Sequence, residues 1–222
     1  MILIKPTTHG YGVQIIGTRE DLETLYVAIG KCWNPEDPTT QSNMLASFSY
    51  DIRHTFMGMR DTRVINPVTK ENGTFFAMNY TWSTMVTYLA TLRYHMARCV
   101  VSQDDFEVIE EFFDMFIDCL EEFAGKRAQD MLPYIEGDAF YVANPYLMQY
   151  WEHLELDFLD TMRFGTKKSG INGLGKMLTV CSYATDEYNY FLRILKKEAK
   201  RLNCEITELR TAGDDQFEVN KW

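Results

Sequence analysis

Gln103-Asp-Asp-Phe-Glu-Val-Ile-Glu-Glu-Phe-Phe-Asp-Met-Phe-Ile-Asp-Cys-Leu-Glu-Glu-Phe-Ala124 is the stretch whose periodicity decides the fold class. Phe106, Ile109, Phe113, Phe116, Leu120 and Phe123 recur at three- and four-residue steps, and Val108, Phe112, Met115 and Cys119 make an adjacent stripe. Glu107, Glu111, Asp114, Asp118 and Glu121 occupy what remains. Side chains three or four apart share one side of an α-helix. This pattern therefore predicts a helix over 103–124 with a wide apolar arc, packed on two sides, and one acidic face left to solvent.

Working upstream, Ser83 is placed to cap a helix striped by Met85, Leu89, Leu92 and Met96. Arg63–Asn66 and Thr74–Tyr80 are β-prone runs around Pro67-Val-Thr-Lys-Glu-Asn-Gly, a hairpin pattern. Leu45, Phe48, Ile52, Phe56 and Met59 predict a helix over 42–59. Thr18, with Asp21 three residues on, caps a helix carrying Leu22, Leu25, Tyr26 and Ile29, and Ile2–Lys5 and Val13–Gly17 form a first hairpin.

Downstream, Asn144-Pro145 is a cap and first-turn pair for a helix through Leu147, Trp151, Leu154 and Phe158 to about Met162. Gly165 to Gly175 reads as a mobile glycine-rich loop, and Thr185-Asp-Glu opens a last helix through Leu202. Ile206–Arg210 and Gln216–Asn220 read as a closing hairpin. The expected fold is α+β, a predominantly helical bundle packed on a small antiparallel sheet formed by hairpins near both termini. No linker-like composition divides the chain, so residues 1–222 are expected to form a single domain.

Composition narrows the function. With 222 residues and 46% hydrophobic side chains, the chain can bury a sizeable core. A net charge of −10 opposes contact with nucleic acid and with anionic membranes, so neither is expected as a partner. The charge is segregated. Ten acids stand against Lys126 and Arg127 between Asp104 and Asp130, and five bases stand against Glu198 between Arg193 and Arg201. Such segments can meet within one fold or between copies of the chain. The five cysteines are odd in number, widely spaced and without a Cys-x-x-Cys motif, which points to reduced thiols in a cytoplasmic protein. No signal peptide or apolar span is evident.

Four constellations bear on chemistry. Tyr50-Asp-Ile-Arg-His54 places Asp51 and His54 three apart on one helix, a spacing that lets a carboxylate orient an imidazole for general-base work. Asp51 and His54 are the catalytic candidates, and Tyr50, Arg53, Arg60 and Arg63 are candidates for binding an anion or small ligand. A polar network tying helix to hairpin is the structural alternative, and Arg93 is a further candidate from a neighbouring helix. Glu107, Glu111, Asp114 and Asp118 are candidates for holding a basic partner, against the alternative of a solvated face. His153, Asp157 and Asp160 share a helix face, but the paired Glu-x-x-His motifs of a di-iron bundle are missing. Gly175-Lys176 is followed by Met177, which breaks the phosphate-loop pattern, although Lys167, Lys168 and Lys176 could meet an anion. No metal site and no cofactor is therefore expected.

Thr18-Arg-Glu-Asp-Leu22, Tyr50-Asp-Ile-Arg-His54, and Tyr80-Thr-Trp82 before a helix with Leu89 and Arg93 occur in an order that resembles a family of uncharacterised bacterial proteins. The resemblance lies in the first hundred residues. It implies a microbial origin and points to residues 50–54, and it brings no activity with it. The expectation is a binding or regulatory protein acting through protein contacts, with a protein partner or further copies of itself. The alternative is an enzyme or anion binder using Tyr50, Asp51, Arg53 and His54.

Overall fold

Leu3–Pro6 (β1) and Gly12–Gly17 (β2) form the first hairpin, turning at Gly10, whose φ of 75° is left-handed. The computed structural model describes residues 1–33, 40–65, 72–136, 146–164, 166–182 and 185–210. Within those spans the side chains of 40–43, 62–65, 72, 147–148, 150, 152–154, 157, 163–164, 167–169, 171 and 180–181 lie outside the description. Asp61–Ile65 (β3) and Asn72–Thr81 (β4) form the second hairpin, and the four strands make one antiparallel sheet in the order β1-β2-β4-β3. Gly12 pairs with Thr81, and a Cβ at Gly12 would lie 1.8 Å from the Tyr80 carbonyl oxygen. Only glycine permits that approach of β2 to β4.

Period-two alternation divides the sheet into two faces. Val13, Ile15, Met78 and Tyr80 enter the main core, while Ile16, Phe75 and Ala77 form a smaller buried cluster on the other face with Leu3.

Thr18 caps the helix Arg19–Cys32 (α1) with a reciprocal Thr18–Asp21 capping box, as its spacing predicts. The next helix, Thr40–His54 (α2), stops five residues short of the expected 59. A wide π-helical turn, Thr55–Met59, follows it and breaks at Gly58, where φ is 78°. The helix Trp82–Met96 (α3) starts directly from β4 and is capped by Thr81 rather than by the expected Ser83. Ser83 is fully buried in the first turn and spends its hydroxyl elsewhere.

Gln103–Ala124 (α4) coincides with the predicted span, capped by Ser102. A 3-10 turn, Gly125–Asp130, and a short helix, Leu132–Ile135 (α5), follow. Trp82 locks this half together. Its indole lies 4.6 Å from the Phe123 ring in a stacked pair, and its N–H donates to the Gly10 carbonyl at 3.0 Å.

Leu147–Phe164 (α6) is followed by Lys167–Cys181 (α7), so the glycine-rich segment is helical from Lys167 onward and not the expected loop, while Gly165 lies outside the described residues. The reason is packing. A Cβ at Gly170 would fall 1.7 Å from Met162 Sδ, and one at Gly173 would fall 3.4 Å from Thr161 Cγ2. Gly170 gives Met162 of α6 the space that a side chain would fill, while a Cβ at Gly173 would make an ordinary contact. Asp186–Leu202 (α8) is capped by Thr185 and ends at left-handed Asn203. The expected closing hairpin is not formed at its first arm, since Ile206–Glu208 is a 3-10 turn. Its second arm, like Asn144-Pro145, lies outside the described residues. The α+β class holds, and the described strands all come from the first 81 residues. Among the described residues no helix is long and apolar enough to cross a membrane.

Candidate functional site

Two surfaces carry the candidate residues. The first is the end of α2. The Tyr50 and His54 rings stack at 3.9 Å between centroids with 30° between their planes, and the Arg53 guanidinium stands 5.3 Å from the Tyr50 ring. Asp51 turns away from this stack. Its carboxylate accepts from Arg60 Nη2 at 2.5 Å and from the Tyr80 hydroxyl at 3.4 Å. No hydrogen bond or ion pair joins Asp51 to His54, so these two do not form the dyad that their spacing allows. The left-handed turn at Gly58 returns the chain and delivers Arg60 to Asp51. Burial, and after it the Asp51 charge, push the Tyr80 phenol well above its usual range.

The rest of the expected set divides. Arg53 is exposed, and Tyr50, Met57 and Met59 are each at least half exposed, which gives the α2 end an aromatic, cationic and thioether surface. Arg60 is committed to Asp51. Arg63 lies in β3 opposite Phe75, with its side chain outside the description. Arg93 does not reach this surface: it is ion-paired to Glu110 and Glu136 and lies 4.0 Å over the Phe113 ring.

The second surface is α4. Glu107, Glu111, Asp114 and Asp118 are all exposed. Other acids of the same helix are neutralised by neighbouring elements. Lys31 of α1 reaches Asp105 at 2.6 Å, and Arg93 of α3 holds Glu110. Lys31 and then the Ser102 hydroxyl hold the Asp105 carboxyl below its usual range. Glu111, Asp114 and Asp118 have no ion-pair partner among the described residues. Among the described residues Glu107 accepts from Gln103 on its own helix.

A cleft of about 320 Å³ lies elsewhere, between the Gly125–Asp130 turn and α7. Arg127, Lys176 and Asn172 line it, and so does Asp130. Both charge signs meet in one opening, which selects no ligand charge. Among the described residues no three His, Cys, Asp or Glu side chains are grouped to hold a metal, and the side chains of His153 and Asp157 lie outside the description.

Sequence reasoning missed a polar hub. Glu155 of α6 accepts hydroxyl hydrogen bonds from Thr81, from Ser83 at 3.0 Å and from Thr84 at 3.0 Å. A carboxylate at the α3 N-terminus also meets the positive end of the helix dipole. The partners stand 71 to 74 residues apart, so no local spacing could reveal them.

The profile of the family described as "Domain of unknown function (DUF6904)" matches residues 2–222. The chain belongs to that family. Membership runs through the acidic helix and everything after it, well past the first hundred residues that carried the sequence resemblance. No curated protein matches the chain, and no solved structure matches it. The DUF6904 description names no activity.

Proposed function

We propose that this DUF6904 chain is a binding or regulatory protein that acts through protein–protein contacts, with the acidic face of α4 as its contact surface. One observation carries this reading. Charges on α4 that face the fold are paired, while Glu111, Asp114 and Asp118 project outward without ion-pair partners among the described residues. Such a row gains little for the fold and is available to a basic partner, whose approach it accelerates. A cytoplasmic setting belongs to the same reading, supported by cysteines with no disulfide framework, and the microbial setting comes with it from the resemblance alone.

The test is charge reversal. Glu107→Lys, Glu111→Lys, Asp114→Lys and Asp118→Lys together should abolish salt-sensitive capture of a basic protein from host extract. Capture that is identical for the wild type and the reversed protein, at low and high salt, sinks the proposal.

A second reading has its own observation, the Tyr50–His54 stack with Arg53 beside it. It makes the α2 end a surface for a planar or anionic ligand. Arg53→Ala and His54→Asn, with stability followed separately, should lose any ligand-induced rise in melting temperature shown by the wild type. Equal shifts in wild type and variants would count against it.

A further inference from the structure

The outer face of α8 is the counterpart of the outer face of α4. Tyr190, Ile194, Lys197 and Arg201 succeed one another at steps of four, three and four residues, flanked by Arg193, Lys196 and Lys200, and all are exposed. Glu107, Glu111, Asp114 and Asp118 follow the same four-three-four spacing. At about 1.5 Å per residue each stripe is about 16 Å long. The spacing reads the same in both directions, so the stripes match whether the helices run parallel or antiparallel.

Within one molecule the opposite charges stay apart. No ion pair joins α4 to α8 among the described residues. Arg201 bonds Glu198 of its own helix, Arg193 lies 5.8 Å from the Tyr190 ring, and Lys196, Lys197 and Lys200 have no ion-pair partner among the described residues. Apolar side chains accompany both stripes. Tyr190 is 61% exposed and Ile194 38% on α8, and Phe106 is 43% exposed at the start of α4.

Resting on the reading of α4 as a contact surface, we propose that its partner is a second copy of this chain, with the outer face of α8 of one molecule docked along the acidic face of α4 of the other. Charge complementarity selects the second copy. The acidic stripe suits a helix that presents bases at matching spacing, and α8 offers Lys197 and Arg201 on the stripe with Arg193, Lys196 and Lys200 beside it. A contact of single helices is small and rich in exposed charge, so the association is weak and salt-sensitive.

Sedimentation equilibrium tests this on the full chain. The wild type should self-associate at low ionic strength. It should dissociate at about 1 M salt, where the Debye length has shrunk to roughly 3 Å. Reversing α4 as above, or reversing α8 with Arg193→Glu, Lys197→Glu and Arg201→Glu, should lower the association constant at least tenfold. Mixing the two reversed proteins should restore association, since each then offers the face that the other needs. A wild type that stays monomeric at low salt overturns the proposal, and so does association indifferent to salt and to both reversals. The salt arm needs no variant and stands even where a reversed protein fails to fold. Absence of self-association alongside α4-dependent capture of a different, basic protein would overturn the second copy as partner and leave the contact surface of α4 in place.

Discussion

Arg60 Nη2 lies 2.5 Å from Asp51 Oδ1, an ion pair that closes the chain back onto α2 after the left-handed turn at Gly58. Both side chains are partly exposed, 49% and 25%, so the pair alone is worth little, about 0.2–1 kcal/mol. Asp51 has a second task, because the buried Tyr80 hydroxyl donates to it. Asp51→Ala should therefore cost more than Arg60→Ala, about 1–3 kcal/mol, because it leaves that hydroxyl poorly satisfied. Urea denaturation of both variants and of Asp51→Ala in a Tyr80→Phe background checks this. The excess cost should vanish when the hydroxyl is gone, and an excess that persists would assign it to something other than Tyr80.

Two glycines should respond with opposite sign to alanine. A Cβ at Gly12 would collide with the backbone of β4, 1.8 Å from the Tyr80 oxygen and 2.6 Å from Thr81 Cα. Backbone cannot step aside as a side chain can, so Gly12→Ala should cost at least about 3 kcal/mol or prevent folding. Gly30 lies inside α1, where a Cβ would meet nothing within 4 Å. Gly30→Ala should stabilise by about 0.5–1 kcal/mol through helix propensity. Thermal melts of the two proteins decide it, and a destabilised Gly30→Ala would mean that α1 is not helical there.

Alkaline pH should unfold the protein from within. Burial pushes the Cys32 and Cys119 thiols up to about 12, with nearby Cys99 and Glu122 respectively adding to it. Burial first, and then the Asp51 charge, also raise the Tyr80 and Tyr88 phenols. The folded protein thus keeps protons that the unfolded chain releases from about pH 8.5 for thiols and about 10 for phenols. Stability is then full below about pH 8 and falls as pH rises through this window. Urea midpoints from pH 7 to 10.5 should decline steadily above 8.5. A flat profile would show that these groups titrate normally in the fold.

The elements differ in how plainly the sequence announces them, and the difference is physical. The 103–124 helix is legible because its whole rationale, an apolar arc with Ser102 before it, is local. The Thr18–Asp21 box is local too. The segment after Gly165 misleads because Gly170 makes room for Met162 on another helix, and local composition records only its lack of a side chain. The candidate site follows the same rule. The Tyr50–His54 stack is a helical i, i+4 contact that the spacing contains. The Asp51–Arg60 pair depends on a turn at Gly58 that side-chain periodicity does not encode. The acidic face is legible as a stripe, but only the fold shows that Asp105 and Glu110 are neutralised and that Asp114 and Asp118, among the described residues, are not.

Glu155 joins α6 to the start of α3. Its carboxylate accepts from Thr81, Ser83 and Thr84, and Thr81 and Ser83 are buried, so removing it takes away their charged acceptor and leaves these hydroxyls to bond one another. Hydrogen bonds to a charged group contribute about 1.5–3 kcal/mol net. Glu155→Ala should cost at least that much, while Glu155→Gln keeps an acceptor and the same length and should cost less. Because α6 is the element released, amide exchange should accelerate in 147–164 and at the start of α3, ahead of any change in the β1–β2 hairpin. Guanidinium denaturation gives the first comparison and hydrogen exchange the second. A Glu155→Ala protein within about 0.5 kcal/mol of wild type, the range of ordinary surface substitutions, would show that the three hydroxyls find other acceptors.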